Sequence, residues 1–276
     1  VTVLNLPPPL LLLLAKSPKI EDYDLSSVKV IQCGSAPVSK AIAKEVKERL
    51  PNLKHMLQLY GLTEMCGISI GMTTDPKNAD RLDSAGVLRP GLLAKVIDLN
   101  TNEACPPGKT GEIWLKGSTQ SPGYYGNPKA TAELITKDGW VRTGDVGFYD
   151  QSECFYIVDR IKELIKVRGF QVAPAELESI VVTHPSVAEA VVVGVPDEFS
   201  GELPRAYVVL KDGKSATPEE LQNYVKGHVT KYKELNGGVR FVSEIPKTDT
   251  GKFLRKKLRD EARKEYEEAK RQKSKI

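Results

Sequence analysis

The chain has 276 residues, 40% hydrophobic and 28% charged, with a formal charge of +4. That is enough apolar content for a large core, and enough length for more than one domain of a soluble globular protein. The four cysteines, Cys33, Cys66, Cys105 and Cys154, form no Cys-x-x-Cys pair; this argues against structural zinc and a disulfide framework, and favours a reducing compartment.

Val1 is not an initiator methionine, so targeting at that end is unreadable. The run Leu10 to Leu14, after Pro7-Pro8-Pro9, is too short to span a membrane and is expected to be a buried segment. Val28 to Cys33 is a β-rich run ending at Gly34. It is followed by Ser39 as an N-cap and by Ile42, Val46 and Leu50 at helical spacing up to Pro51. His55 to Tyr60 is the next expected strand, giving alternating β and α elements of a parallel sheet. The segment Tyr60 to Glu64 would then lie just beyond a strand's carboxyl end, where open α/β sheets bind ligands.

From Ala85 to Val158 the texture changes. Short strands at Ala94–Asp98, Gly111–Lys116 and Cys154–Val158, separated by Gly and Pro turns, predict a small β-barrel-like subdomain. Beyond Asp159 come a helix after Pro174, strands at Val187–Val195 and Tyr207–Leu210, and a helix whose start, Thr217-Pro218-Glu219-Glu220, is a capping box. The fold class is therefore multi-domain α/β. Residues 1–158 are expected to form one region (1–84 α/β, 85–158 barrel-like) and 159–276 a small α+β domain, with the boundary at Asp159. Lys252 to Lys275 interleaves Lys and Arg with Glu as a solvated helix does. No aromatic ladder or zinc-finger spacing accompanies it, so no nucleic-acid partner is expected. His55, His184 and His228 are scattered, with no nucleophile motif beside them.

Four polar motifs carry the chemistry: Tyr60-Gly61-Leu62-Thr63-Glu64; Thr143-Gly144-Asp145; Asp159-Arg160 with Lys166; and Pro246-Lys247-Thr248-Asp249-Thr250-Gly251-Lys252. Taken singly, each has an ordinary reading: a strand end with a Thr-capped turn, a hairpin, a surface ion pair, a solvated lysine. In this order they resemble the adenylate-forming enzymes, the superfamily of acyl- and aryl-CoA synthetases, 4-coumarate-CoA ligases and beetle luciferases. The resemblance covers nearly the whole chain and makes 1–158 the carboxyl-terminal part of a large domain. It implies ATP or AMP, magnesium and coenzyme A as cofactors, and a small carboxylic acid as substrate.

The resemblance also assigns roles. Thr63 would bond the α-phosphate, Glu64 would hold magnesium, and Tyr60, beside Gly61, would stack on adenine. Gly34-Ser35-Ala36-Pro37 resembles the Gly-Ala-Pro loop that lies along adenine and the acyl pocket; Leu59 stands where relatives usually carry Gly. Asp145 would accept both ribose hydroxyls, because a carboxylate is an acceptor only. Arg160 would reach the ribose or phosphate side as a charged fork, and Asp159 would be the hinge between domains. Lys252 would bridge acyl carboxylate and nucleotide during adenylation, while Lys166, with Gly169 and Gln171, would face the adenylate after the domain turns. The family's Ser/Thr-Gly-rich phosphate loop cannot be found, and its members are about twice as long. The expectation is a carboxyl-terminal half, inactive alone. Ser274-Lys275-Ile276 resembles the peroxisomal Ser-Lys-Leu address and so implies an import receptor; the alternative is a chance ending on a cytoplasmic protein. Three functions stay open: a carboxylate-CoA ligase as the leading reading, a luciferase-type monooxygenase, and a non-catalytic nucleotide-binding module.

Overall fold

The computed structural model describes residues 1–34, 38, 40–75, 81, 83–248 and 253–273. The chain divides into two compact units, Val1–Ile161 and Lys162–Ile276. Asp159, the boundary expected from sequence, still lies with Arg160 in a strand of the first unit.

The first unit opens with β1 (Val3–Leu6), α1 (Pro8–Lys16), β2 (Val30–Gly34), α2 (Lys40–Arg49) and β3 (His55–Leu62), followed by β4 (Gly67–Gly71) and β5 (Val87–Leu88). These strands form one sheet in the order β1-β2-β3-β4-β5. The first three are parallel, as the βα alternation requires, but β4 and β5 run antiparallel. The expectation of a parallel sheet thus holds only as far as β3. Thr63-Glu64-Met65 makes a single 3-10 turn, too short for a crossover helix, so the chain can only double back.

The leucine run is a helix rather than a wholly buried segment. Pro7 and Pro8 start α1, where a missing N–H costs nothing. At 3.6 residues per turn, five consecutive leucines cannot share one face. Leu11 and Leu14 point into the core, whereas Leu10 and Leu13 are about half exposed. Leu11 and Leu14 join Ile31, Cys33, Ala43 and Val46 in one cluster under the sheet, and each such buried aliphatic contributes about 1.5–3 kcal/mol.

β6 (Leu92–Ile97), β7 (Gly111–Gly117), β8 (Val141–Tyr149) and β9 (Phe155–Arg160) follow, with α3 (Pro128–Leu134) before β8. They form an antiparallel sheet in the order β6-β7-β8-β9. The barrel-like expectation is corrected here: the sheet is open, with β6 and β9 at its two edges. Its apolar face is covered by the first sheet, because Met65, Ile70 and Leu88 pack against Leu92, Ile113, Leu115, Val141 and Phe155. With that face already buried, closure has nothing left to gain.

In the second unit, β10 (Ile165–Val167), β11 (Phe170–Val172), β12 (Val187–Asp197), β13 (Gly201–Leu210) and β14 (Val239–Phe241) form a sheet ordered β11-β10-β13-β12, with β14 parallel to β13. Leu177 of α4 (Pro174–Val181) and Leu221 and Val225 of α5 (Pro218–Lys226) pack in one core with Ile165, Val192 and Val208 of the sheet. Thr217 caps α5 reciprocally with Glu220, as the sequence predicted. The charged α6 (Arg255–Lys273) buries Leu258 and Ala262, one turn apart, in a second cluster with Val191, Val193 and Tyr207.

Candidate functional site

β3 runs through Leu62, so Tyr60 and Gly61 belong to the strand and only Thr63 and Glu64 lie beyond it. Gly61 is there because β4 crosses at close range: a methyl group on it would sit 2.2 Å from the Gly67 carbonyl oxygen. Gly34 ends β2, where an added Cβ would sit 3.0 Å from the Leu59 oxygen, a tight contact with β3. Ser35, Ala36 and Pro37 lie outside the described residues. The residue after them, Val38, is held by Gln58 of β3, whose side-chain oxygen accepts from the Val38 amide at 3.1 Å.

The Thr143-Gly144-Asp145 motif is a bulge. Trp114 pairs with Arg142 and Glu112 with Val146, so three residues of β8 face the single residue Ile113. A bulge leaves amides without ladder partners, and side chains supply them. The Asp145 amide donates to Thr143 Oγ1 at 3.1 Å, while that hydroxyl donates to the Ile113 oxygen at 2.6 Å. On its other side Asp145 pairs with Arg160 of β9.

The bulge turns the Asp145 carboxylate toward β3. The Tyr60 phenol donates to Asp145 Oδ2 at 2.7 Å, and Arg160 Nε lies 3.3 Å from Oδ1. Three of the residues singled out by sequence are thus one cluster. Burial pushes the Asp145 carboxyl above its ordinary value, against the opposing pull of Tyr60 and Arg160. Burial, followed by the Asp145 charge, holds the Tyr60 phenol well above its own, so it remains a donor. The guanidinium expected on the ribose or phosphate side rests on this carboxylate, and its side chain is 58% exposed. The Asp159 side chain is buried and accepts from the Arg160 amide at 2.8 Å.

Thr63 is exposed at the turn. Glu64 beside it is clasped by a segment that sequence reading passed over: the Tyr124 hydroxyl donates to Glu64 Oε1 at 2.5 Å, and the Ser121 amide donates to the Glu64 carbonyl at 2.9 Å. The hydrogen bond to Glu64 raises the Tyr124 phenol above its ordinary value. Among the described residues no group of three or more His, Cys, Asp or Glu is arranged to hold a metal ion. One carboxylate with a free oxygen fits magnesium, which takes one or two protein carboxylates and completes its octahedron with phosphate oxygens and water.

In the second unit Lys166 and Gln171 are cross-strand partners on the β10–β11 hairpin, both exposed. The Lys166 amide donates to Glu202 at 3.0 Å. Lys252 and Ser274-Lys275-Ile276 lie outside the described residues. Among the described residues no helix is long and apolar enough to cross a membrane.

The Thr63-Glu64 turn follows the mixed sheet and the Asp145 bulge lies on the antiparallel one, and the Tyr60–Asp145 hydrogen bond joins the two sheets in one α/β unit. The profile of the AMP-binding enzymes matches residues 1–125, and that of the AMP-binding enzyme C-terminal domain matches residues 176–252. The chain belongs to the adenylate-forming superfamily. It is 46% identical to a luciferin 4-monooxygenase of Nipponoluciola cruciata over 94% of this chain and 46% of that protein. It is 44% identical to a probable 4-coumarate–CoA ligase 3 of Dictyostelium discoideum over 92% of this chain and 45% of that one. Among solved structures, ATP-bound MatB from Rhodopseudomonas palustris superposes with a TM-score of 0.86 at 29% identity, covering 94% of this chain and 50% of that one. The chain spans about half the length of the curated relatives it matches.

Proposed function

We propose that the protein carrying this chain is an ATP-dependent carboxylate–CoA ligase that activates an acyl or aryl acid through an acyl-adenylate. The observation that carries the reading is the 2.7 Å hydrogen bond joining Tyr60 to Asp145, which makes one cluster of the first two motifs. In the first half-reaction a carboxylate oxygen bonds to the α-phosphorus of ATP and pyrophosphate leaves; in the second the thiol of coenzyme A takes the acyl group and AMP leaves. Asp145 would accept from the ribose hydroxyls and Tyr60 would flank the base. Thr63 would donate to the α-phosphate. Magnesium bound at Glu64 would neutralise phosphate charge. Lys252 would stabilise the charge that develops during adenylation, and Lys166 would act in thioester formation.

The test is pyrophosphate release by the intact protein across a panel of carboxylic acids, with thioester formation followed after coenzyme A is added. An acid that drives both steps supports the ligase. AMP binding without turnover of any acid would leave a nucleotide-binding module instead. Lys252→Ala is expected to stop adenylation and spare thioester formation from preformed adenylate, and Lys166→Ala to do the reverse; equal losses in both steps would refute the division of labour. Luciferase chemistry is the second reading, favoured by the 46% identity to a luciferin 4-monooxygenase. Light emission on adding luciferin, ATP and oxygen would decide for it.

A further inference from the structure

The Thr143–Asp145 bulge has one more support, outside all four motifs. The Gly144 amide, stranded by the bulge, donates to Glu112 Oε1 at 3.0 Å. The other oxygen of the same carboxylate accepts from Trp114 Nε1 at 2.7 Å. Gly144 has φ +70°, with open space where a Cβ would be, so its glycine answers to backbone conformation rather than crowding. A left-handed residue in a strand holds its shape only when its freed amide is fixed by a partner. Glu112 is that partner.

Glu112 and Trp114 are two apart on β7 and share a face, as the strand repeat requires. The indole is itself anchored: Lys95 Nζ lies 4.8 Å and the Arg142 guanidinium 5.1 Å from its ring centre. The carboxylate is therefore set from one side by an immobilised indole and grips the bulge from the other. Asp145 is the next residue after Gly144, so rotation of the Gly144 peptide would swing the Asp145 carboxylate away from Tyr60.

We propose that Glu112 is a positioning residue that fixes the bulge, and through it the Asp145 carboxylate, in the orientation that reads a ribose diol. This rests on the reading of Asp145 as the ribose acceptor. The experiment measures, by calorimetry on the intact protein, the affinity for ATP against 2′,3′-dideoxy-ATP in the parent, Asp145→Ala, Glu112→Gln and Trp114→Phe. The parent should prefer ATP, and Asp145→Ala should bring the preference close to unity. Glu112→Gln, whose amide keeps one acceptor oxygen for two donors and sets an NH2 against the other, should reduce the preference by about tenfold. Trp114→Phe keeps the Gly144 bond and should retain most of the preference, which separates positioning from general loosening of the sheet.

If Asp145→Ala removes the preference and Glu112→Gln leaves it intact, the inference is overturned and the ribose reading stands. If Asp145→Ala leaves it intact, the ribose reading fails and the inference falls with it. Should Glu112→Gln not fold, Glu112→Asp replaces it: its carboxylate is one methylene short of the Gly144 amide, so the same loss is expected and an unchanged preference again overturns the proposal.

Discussion

Replacing Gly61 by alanine is the sharpest structural test of the site, because the obstruction is entirely backbone. The new methyl would lie 2.2 Å from the Gly67 oxygen, 2.8 Å from its carbonyl carbon and 2.9 Å from Ile68 Cα. No side-chain rotation relieves such contacts, so β3 and β4 must part by about 1 Å to restore van der Waals separation, with β3 displaced as well as β4. Forcing an extra carbon into a packed site costs about 1–3 kcal/mol, and alanine recovers about 0.5–1 kcal/mol of the glycine entropy. Tyr60 is the neighbouring residue, and its phenol is 2.7 Å from Asp145. A shift of about 1 Å takes that bond past its useful range and removes about 1.5–3 kcal/mol more. The net expectation is a loss of about 2–4 kcal/mol in the first unit. Urea unfolding followed by far-UV circular dichroism measures it, and the thermal midpoint should fall by roughly 5–12 °C. A variant within about 0.5 kcal/mol of the parent would refute the claim that β3 and β4 touch at this point.

In the second unit, Leu177→Ala empties a fully buried position between α4 and its sheet, and should cost about 2–5 kcal/mol in the same urea assay; a loss below about 1 kcal/mol would mean the cavity collapses. Thiol labelling under native conditions should modify Cys66, which is exposed, long before the buried Cys33, Cys105 and Cys154. Burial pushes the Cys33 thiol up to about 12, so peptide mass spectrometry should find it modified only after denaturant is added. Asp98 is held below its ordinary value first by its hydrogen bond with Lys109 and then by the amides of Asn100 and Thr101. Its depressed value means the unfolded chain takes up the proton first, so its contribution is complete above about pH 4 and fades as pH falls. Asp98→Asn should therefore flatten the acid limb of the stability curve below about pH 4, and an unchanged limb would show that the Lys109 contact carries no weight.

Local chemistry wrote much of this molecule into its sequence. The βα alternation up to β3, the reciprocal cap on Thr217 and the polar motifs depend on residues a few positions apart, whose propensities act before any tertiary contact forms. The site depended on more. Tyr60 and Asp145 are 85 residues apart, Glu64 and Tyr124 are 60 apart, and Glu112 and Gly144 are 32 apart. No local pattern announces that a glutamate between Gly111 and Ile113 will hold a bulge on the next strand, because a bulge is a mismatch between two strands and exists only once they pair. The leucine run shows the same limit: its apolarity was plain, but the face each side chain took was decided by helix geometry and by what packed beneath α1. Residue types fixed which chemistry the chain could do, whereas strand register and the packing of the second sheet on the first decided which of those groups met, since a side-chain hydrogen bond needs both partners within about 3 Å however far apart they lie in sequence.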